Sequence, residues 1–351
     1  MHFEVPVRTY SRIAPAIVAA LICAPAVGGA QTFKVEKWNI GGEGSHDYIT
    51  AEAGTGRVFV SRGTHVMVID GRTGKLLGDI EDTPRVHGAA LVPKMKKGFT
   101  TNAGDSTVTE FDLETLLPIR KIPVNTGGLD GIMYDDVSKQ IVLTNHSAPG
   151  TLCLIDAASG DVSGTAMLED RAPEGAASDG KGKLYVNNES TNTIQVIDQN
   201  TMKALASWPL APCEGPTGIA FDRANGRIFS GCSKTSVVVD AKSGKVVSTI
   251  TNGEGVDALG WDPAEKLIYI PAGRTGDVTV VHQDGPDKYT TVATVKTMVG
   301  AKTIAVDPVS HRAYAVAIER GPSTPPPAGS PANTRPTPGA ITGVWFMAIS
   351  H

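Results

Sequence analysis

The segment Val66-Met67-Val68-Ile69-Asp70-Gly71-Arg72-Thr73-Gly74-Lys75 decides the fold, because it combines a short apolar strand with a tight turn. The strand ends in an aspartate, and the glycine four residues later supplies the positive φ that a hairpin turn needs. Related apolar strands end at intervals of 42 to 44 residues, at Asp112, Asp156, Asp198, Asp240 and His282. A fixed period of this length indicates a repeat protein.

A second strand repeats out of phase with the first. Its copies recur every 40 to 45 residues and are centred on Phe59, Phe99, Val142, Tyr185, Phe229, Tyr269 and Tyr314. No helical periodicity separates these strands, so the repeat is all-β. We therefore predict a seven-bladed β-propeller, with one four-stranded sheet per repeat.

The two ends of the repeat region predict how the ring closes. Blade 7 has inner strands around residues 302–306 and 312–318 and a third strand at 341–349, but no fourth strand follows. The apolar segment Phe33 to Ile40 precedes blade 1 without a partner, so we expect it to be the outer strand of blade 7. Residues 321–340 hold seven prolines and are predicted to be a surface loop.

The first thirty residues have the pattern of a secretory signal. Arg8 and Arg12 precede an apolar run from Ile13 to Val27, and small residues lead to a predicted cleavage site near Ala30. The domain prediction is therefore a signal peptide at 1–30 and a single propeller at 31–351. Export places the protein in an oxidising compartment, which we take to be the periplasm.

Composition excludes some classes of partner. The chain has 32 lysines and arginines and 36 acids, which gives a net charge of −4. The sequence shows no basic stretch with interspersed aromatic residues. Nucleic-acid binding is therefore not expected. The apolar run near the N-terminus is too short to span a membrane, so we predict no transmembrane segment. We also predict that the protein is a monomer.

The repeats resemble the YVTN-type repeats of YncE-like exported propellers. The second strand reads Tyr185-Val186-Asn187-Asn188 in blade 4 and Phe59-Val60-Ser61-Arg62 in blade 1, followed by the apolar strand and turn quoted above. The resemblance covers nearly all of residues 31–351. It implies seven blades and a periplasmic or surface location, and it implies no single reaction.

The residue that opens each inner strand should lie near one mouth of the central channel. Aligning the repeats gives a first tier of Asp47, His87, Asp130, Glu174, Thr217, Asp257 and Lys302. Glycine follows four of them, at Gly88, Gly131, Gly175 and Gly218, where the backbone or a ligand can approach closely. A second tier is predicted from the ends of the second strands: Arg62, Asn102, Asn145, Asn188 and Cys232, with His65, His146 and Glu189 nearby.

Three uses of this mouth remain open on sequence grounds. In the first, its polar groups only keep the strand ends in contact with water. In the second, they bind a small molecule, a peptide or a protein. The alternative is a hydrolase or lyase that depends on a divalent cation, as in propeller lactonases. In that case Asp130, Glu174 and Asp257 would bind the metal, and the catalytic candidates are His87, His146 and Glu174. No other cofactor is predicted.

Two cysteines predict a disulfide. Cys213 precedes the first strand of blade 5 and Cys232 follows its second strand, so the two should meet on one face of the hairpin. In an exported protein such a pair is expected to be oxidised. Cys153 lies within a strand and is predicted to be a buried apolar residue.

Overall fold

The computed structural model describes Met1 and residues 31–327, 329, 331 and 334–351. The predicted signal peptide at 1–30 lies outside these residues except for Met1. Among the residues described, no helix has the length and apolarity needed to cross a membrane.

The strands form seven antiparallel sheets of four, which confirms the all-β, seven-bladed prediction. In chain order they are β1 (Lys34–Asn39), β2 (Ile49–Ala51), β3 (Arg57–Ser61), β4 (Val66–Asp70), β5 (Leu76–Ile80), β6 (Val86–Val92), β7 (Lys97–Asn102), β8 (Thr107–Asp112), β9 (Pro118–Pro123), β10 (Leu129–Asp135), β11 (Gln140–Asn145), β12 (Thr151–Asp156), β13 (Val162–Met167), β14 (Pro173–Ser178), β15 (Lys183–Asn188), β16 (Thr193–Asp198), β17 (Lys203–Pro209), β18 (Ile219–Asp222), β19 (Arg227–Ser230), β20 (Thr235–Asp240), β21 (Val246–Thr251), β22 (Gly260–Asp262), β23 (Leu267–Ala272), β24 (Asp277–Gly285), β25 (Lys288–Lys296), β26 (Ile304–Asp307), β27 (Arg312–Arg320) and β28 (Ile341–Ser350). A short 3₁₀ turn, Pro93–Met95, joins β6 to β7.

The ring closes as predicted, through the first strand. Blade 7 has the order β1-β28-β27-β26, and β1 pairs with β28 from Lys34 opposite Ser350 to Asn39 opposite Trp345. At the channel, the inner strand of blade 7 contacts the inner strand of blade 1. A closed ring leaves only the short outer strands as exposed sheet edges.

The aspartates that end the third strands hold the turns that follow them. One carboxylate oxygen of Asp70 accepts hydrogen bonds from the backbone N–H groups of Arg72 and Thr73, at 2.8 and 3.0 Å. Asp112, Asp156, Asp198 and Asp240 make the same pair of bonds in their own blades. This side-chain-to-backbone turn explains the aspartate that recurs at the end of the third strand in blades 1 to 5.

Apolar side chains pack between blades. Each of the seven interfaces between neighbouring blades holds a cluster of buried residues from both sides. At the closure, Val58 and Val60 of blade 1 share a cluster with Tyr314 and Phe346 of blade 7. Burying both faces of each sheet supplies the main stabilisation of the ring.

One face of the ring, called here the mouth face, carries the starts of the inner strands and the ends of the second strands. Asn145 at the end of β11 pairs with Leu129 at the start of β10, and blades 2 and 4 repeat this register. The predicted loop at 321–340 joins the end of β27 to β28, so it leaves the sheet on this face. Most of its described residues are exposed, and Thr324 pairs with Thr337 at its base.

Candidate functional site

The first-tier residues converge at the mouth face. Strand pairing is irregular between Val86 and Ala89, between Leu129 and Ile132, and between Pro173 and Ala176. These irregularities lie where the inner strands of blades 2, 3 and 4 carry a first-tier residue followed by glycine, and a bulge of this kind redirects a side chain. A Cβ on Gly218 would lie 2.2 Å from the carbonyl carbon of Ala258. The glycines therefore allow neighbouring blades to approach each other.

A chain of ion pairs links most of the first tier. Lys302 Nζ lies 2.5 Å from Asp257 Oδ2 and 3.3 Å from Asp47 Oδ1. His87 Nδ1 lies 2.6 Å from Asp47 Oδ2 and 3.0 Å from Asp130 Oδ1. Each cation therefore lies between two carboxylates from different blades.

His146 extends this chain. Its Nε2 lies 3.0 Å from Asp130 Oδ2 and 3.1 Å from Glu174 Oε1. We call the linked set the charged ring: Asp257, Lys302, Asp47, His87, Asp130, His146 and Glu174. It holds four acids and three basic groups, and Thr217 of blade 5 is not part of it.

Tyr48 crosses the channel inside the charged ring. Its hydroxyl, from blade 1, donates a hydrogen bond to Glu174 Oε2 in blade 4 at 3.1 Å. Its pKa is raised well above the usual value, first by burial and then by four carboxylates of the charged ring. Tyr48 and residues of the inner strands line a cavity of about 200 Å³. Sequence reasoning missed Tyr48, yet one signal was present: Tyr48 stands where four other repeats carry glycine.

Both histidines of the charged ring are held as cations. Burial lowers the pKa of His87, but the carboxylates of Asp130 and Asp47 outweigh burial and raise it to about 9. Burial also lowers the pKa of His146, but the carboxylates of Asp130 and Glu174 outweigh burial and raise it to about 10. Burial also opposes ionisation of Asp130, whose pKa is nevertheless lowered by the two histidines. These pKa values favour the protonated imidazole at neutral pH, whereas a general base needs a neutral one, so the role of His87 or His146 as a base stays a prediction that they do not favour.

Two acids of the charged ring have pKa values above the usual ones. Burial raises the pKa of Glu174 to about 7, assisted by the charges of Asp130 and Asp257 and opposed by His146. Burial also raises the pKa of Asp257, against the attraction of Lys302. These two acids lie at the two ends of the chain of ion pairs.

These pKa values predict that stability falls at alkaline pH. A histidine whose pKa is raised on folding stabilises the folded state fully below the unfolded value of about 6.5 and loses that contribution as the pH passes the folded value. The contribution of each histidine therefore declines from about pH 6.5 upwards and is lost completely by about pH 9 for His87 and about pH 10 for His146. We expect the free energy of unfolding, measured by urea denaturation, to fall by at least about 2 kcal/mol between pH 7 and pH 10.

Replacing both histidines tests the source of this slope. The double variant His87→Asn and His146→Gln should be less stable at pH 7, and its stability should change much less between pH 7 and pH 10. An equal slope in the variant and the parent would show that other groups cause the pH dependence.

Two groups of three residues in the charged ring could hold a metal ion, and neither group is the predicted set of Asp130, Glu174 and Asp257. Asp130, His146 and Glu174 place one donor atom each within 4.8 Å of one another, and so do Asp47, His87 and Asp130. Asp257, predicted to join Asp130 and Glu174, pairs with Lys302 instead. Imidazole and carboxylate donors suit Zn²⁺, whereas Ca²⁺ takes oxygen ligands, and binding would require His146 to lose its proton.

Three asparagines predicted to line the mouth are buried inside their blades. Asn102, Asn145 and Asn188 are at most 1% exposed. Their amide groups donate to Thr107, Thr151 and Thr193, respectively, at the starts of the next strands. The prediction that they face a ligand is therefore corrected: they join the second strand of a blade to the third.

Arg62 is also buried, and its role is to hold the ring closed. Its side chain is fully buried, and its guanidinium donates to the carbonyl oxygens of the segment 41–44, which links β1 of blade 7 to blade 1. A further contact joins Nη1 to Met67 Sδ at 3.2 Å. Arg62 therefore binds the segment 41–44 rather than a ligand.

A cavity of about 460 Å³ opens where the charged ring is interrupted. It is lined by Thr217 of blade 5, by Asp257 and Lys302 of the charged ring, and by Glu189, Ser233 and Arg274 from loops on the mouth face. We call it the mouth cavity. Beside it Cys213 and Cys232 form the predicted disulfide, with a Cα–Cα distance of 5.6 Å. Cys153 is buried and free.

Comparison with known proteins finds similarity in structure but none in sequence. No protein-family model matches the chain, and no curated protein matches its sequence. A chain of the hydrazine synthase of Kuenenia stuttgartiensis is 16% identical, with a TM-score of 0.67 over 77% of this chain and 92% of that one. The WD40 repeats of RRP9 are 10% identical, with a TM-score of 0.73 over 90% and 97%. A chain of the mitotic checkpoint complex is 14% identical, with a TM-score of 0.69 over 90% and 96%.

The likeness is one of fold. Identities of 10 to 16% establish the propeller architecture and carry no activity across. Propellers commonly serve as binding and scaffold proteins. Membership of the YncE-like group stays a prediction from the repeat sequence.

Proposed function

We propose that the protein is an exported, periplasmic binding protein that holds a small polar ligand in the mouth cavity. The observation that carries this proposal is that the interruption of the charged ring coincides with a cavity of about 460 Å³. This volume lies within the range of roughly 300 to 1,000 Å³ that is usual for small-molecule sites. Charged and hydroxyl groups from blades 4 to 7 surround it.

The walls of the mouth cavity are held in place by the fold. Thr217 donates to the carbonyl oxygen of Val256 in blade 6 at 3.0 Å, and Gly255 N–H donates to Ser233 Oγ at 3.2 Å. The disulfide ties the two sides of the blade 5 hairpin together next to these residues. A wall that is already ordered loses little entropy on binding, which favours affinity. The disulfide also supports an oxidising compartment.

Ligand-induced thermal stabilisation tests this function. The probes are L-lysine, 1,5-diaminopentane, glycylglycine, citrate, glucose and Zn²⁺ alone, each added to the protein from residue 31. Because a ligand that binds only the folded state raises the melting temperature, at least one probe should do so. In Ser233→Trp, whose indole would occupy the mouth cavity, that probe should bind at least tenfold more weakly.

Thr64→Trp is the matched control. Thr64 is exposed in the corresponding loop of blade 1, so its replacement should leave the response unchanged. Failure of every probe, or an equal response in Ser233→Trp, would contradict a binding function at this cavity.

A further inference from the structure

Three side chains at the junction of blades 3 and 4 form a compact set of metal-binding donors. Asp130 lies in β10, His146 directly follows β11, and Glu174 lies in β14 of the next blade. One donor atom from each residue lies within 4.8 Å of the other two. Both acids are largely buried, with Asp130 7% and Glu174 6% exposed. Buried donors on separate strands are already ordered before an ion binds, which favours affinity.

The imidazole of His146 supplies the observation that points to an ion. Its Nε2 lies 3.0 Å from Asp130 Oδ2 and 3.1 Å from Glu174 Oε1. This nitrogen is buried, yet it makes no hydrogen bond to any residue that the structure describes. Since both oxygens are close enough, they lie to the side of the Nε2 axis rather than along it. A metal ion bound to Nε2 would lie on that axis, with the oxygens around it.

The spacing of the donors suits Zn²⁺. A tetrahedral zinc ion with Zn–N and Zn–O distances of about 2.0–2.1 Å places neighbouring ligand atoms roughly 3.3 Å apart. The two N···O distances at His146 are within about 0.3 Å of this value. One imidazole and two carboxylates also favour Zn²⁺ over Ca²⁺ and Mg²⁺, which prefer oxygen ligands. The side chain of His146 is 34% exposed, so water can supply a fourth ligand.

Neighbouring contacts orient the two carboxylates. The Tyr48 hydroxyl donates to Glu174 Oε2 at 3.1 Å, and the other oxygen of Glu174 faces His146. His87 Nδ1 lies 3.0 Å from Asp130 Oδ1, and the other oxygen of Asp130 also faces His146. Each carboxylate therefore has one oxygen held by a neighbour and one oxygen available to an ion. Outer contacts of this kind fix the orientation of metal ligands.

The second group of donors, Asp47, His87 and Asp130, is held more tightly by protein contacts. His87 Nδ1 is hydrogen-bonded to Asp47 Oδ2 at 2.6 Å, and Asp47 Oδ1 contacts Lys302. An ion in this group would displace both contacts. At His146 an ion would displace only the proton on Nε2. The four acids and three basic groups of the charged ring leave one formal negative charge, and Zn²⁺ in place of that proton would neutralise it.

We infer that Asp130 Oδ2, His146 Nε2 and Glu174 Oε1 bind one Zn²⁺ ion. Binding releases the Nε2 proton to solvent, because an imidazole must be neutral to bind a metal. This competition makes the site weaker than one built from neutral histidines. None of the three residues lines the mouth cavity, so the inference does not depend on the proposed function.

Calorimetric titration of the metal-free protein with Zn²⁺ at pH 7.5 tests the inference. We expect one Zn²⁺ to bind per chain, and Ca²⁺ and Mg²⁺ to bind at least tenfold more weakly. His146→Gln and Glu174→Gln each remove one ligand, and each should weaken Zn²⁺ binding at least tenfold. His282→Gln is the matched control, because His282 pairs with Asp284 on the surface of blade 6, and its loss should leave Zn²⁺ binding unchanged.

Two further measurements keep the test decisive. Thermal unfolding without Zn²⁺ shows whether each variant folds, and either ligand variant is sufficient if the other does not fold. His87→Asn distinguishes the two groups of donors. It removes a positive charge beside Asp130 and leaves the three ligands in place, so it should bind Zn²⁺ at least as tightly as the parent.

The outcomes separate this inference from the proposed function. Absence of Zn²⁺ binding, parental affinity in the folded ligand variants, or loss of binding in His87→Asn without loss in His146→Gln would overturn the inference. Ser233→Trp keeps all three ligands and should bind Zn²⁺ as the parent does. If it does so while every other probe fails to bind, the zinc site stands and the proposed function fails. If an organic probe binds in the mouth cavity and Zn²⁺ does not bind, the proposed function stands and this inference is wrong.

Discussion

Replacing Arg62 with methionine is expected to destabilise the protein by about 3 kcal/mol, because it removes the donor for the carbonyl oxygens of the segment 41–44. Methionine has a similar length and can fill much of the space, so the loss reports on hydrogen bonding more than on packing. The segment 41–44 joins the closing strand β1 to blade 1, so its release also weakens the ring closure. Arg62→Lys should be intermediate, since one ammonium group offers three donors against the five of a guanidinium.

Chemical denaturation gives the measurement. Arg171→Met is the matched control, because Arg171 is exposed and its loss should change the free energy of unfolding by less than about 0.5 kcal/mol. If Arg62→Met is as stable as this control, the guanidinium contacts do not hold the closure.

Replacing Asp130 with asparagine is expected to have the largest effect on the charged ring. Asp130 is 7% exposed and its two carboxylate oxygens contact both histidines. The amide keeps the shape and removes the charge that both imidazolium groups share. We expect the pKa of His87 and of His146 to fall by at least about 1 pH unit each. The free energy of unfolding at pH 7 should fall by about 3 kcal/mol, because two buried ion pairs lose one partner.

Nuclear magnetic resonance titration of the histidine ring protons follows both groups separately. Asp284→Asn provides the control: Asp284 is exposed and pairs with His282 at 2.8 Å, and the loss of an exposed pair should cost less than about 1 kcal/mol. Unchanged pKa values for His87 and His146 in Asp130→Asn would show that the short distances do not reflect electrostatic coupling.

The sequence was sufficient to predict the architecture. A blade contains only local hairpins, so the period of the strands and the aspartates that end them specify each sheet. Closure followed from counting strands, because blade 7 lacked one and the segment before blade 1 had no partner. The first tier was found by alignment, since residues at equivalent repeat positions meet at one end of the channel.

Side-chain direction was harder to predict. Asn145 and His146 are neighbours in the chain, yet Asn145 turns into its blade and His146 contacts two acids of the charged ring. Alternation along a strand does not settle this difference at a strand end, where the backbone leaves the pleat. Arg62 was placed at the mouth because the sequence does not reveal that the glycine-rich segment 41–44 folds over its guanidinium.

The pairing of β1 with β28 brings the two ends of the folded chain side by side: the rings of Phe33 and His351 lie 5.2 Å apart. A short peptide link could therefore join them, and new termini could be opened within 321–340, where the chain already leaves the sheet. Such a circular permutant would keep every strand pairing while joining β28 directly to β1 and moving the chain break in blade 7 to the position between β27 and β28. Comparing its stability with that of the parent would separate the contribution of blade packing from the contribution of the order of the strands along the chain.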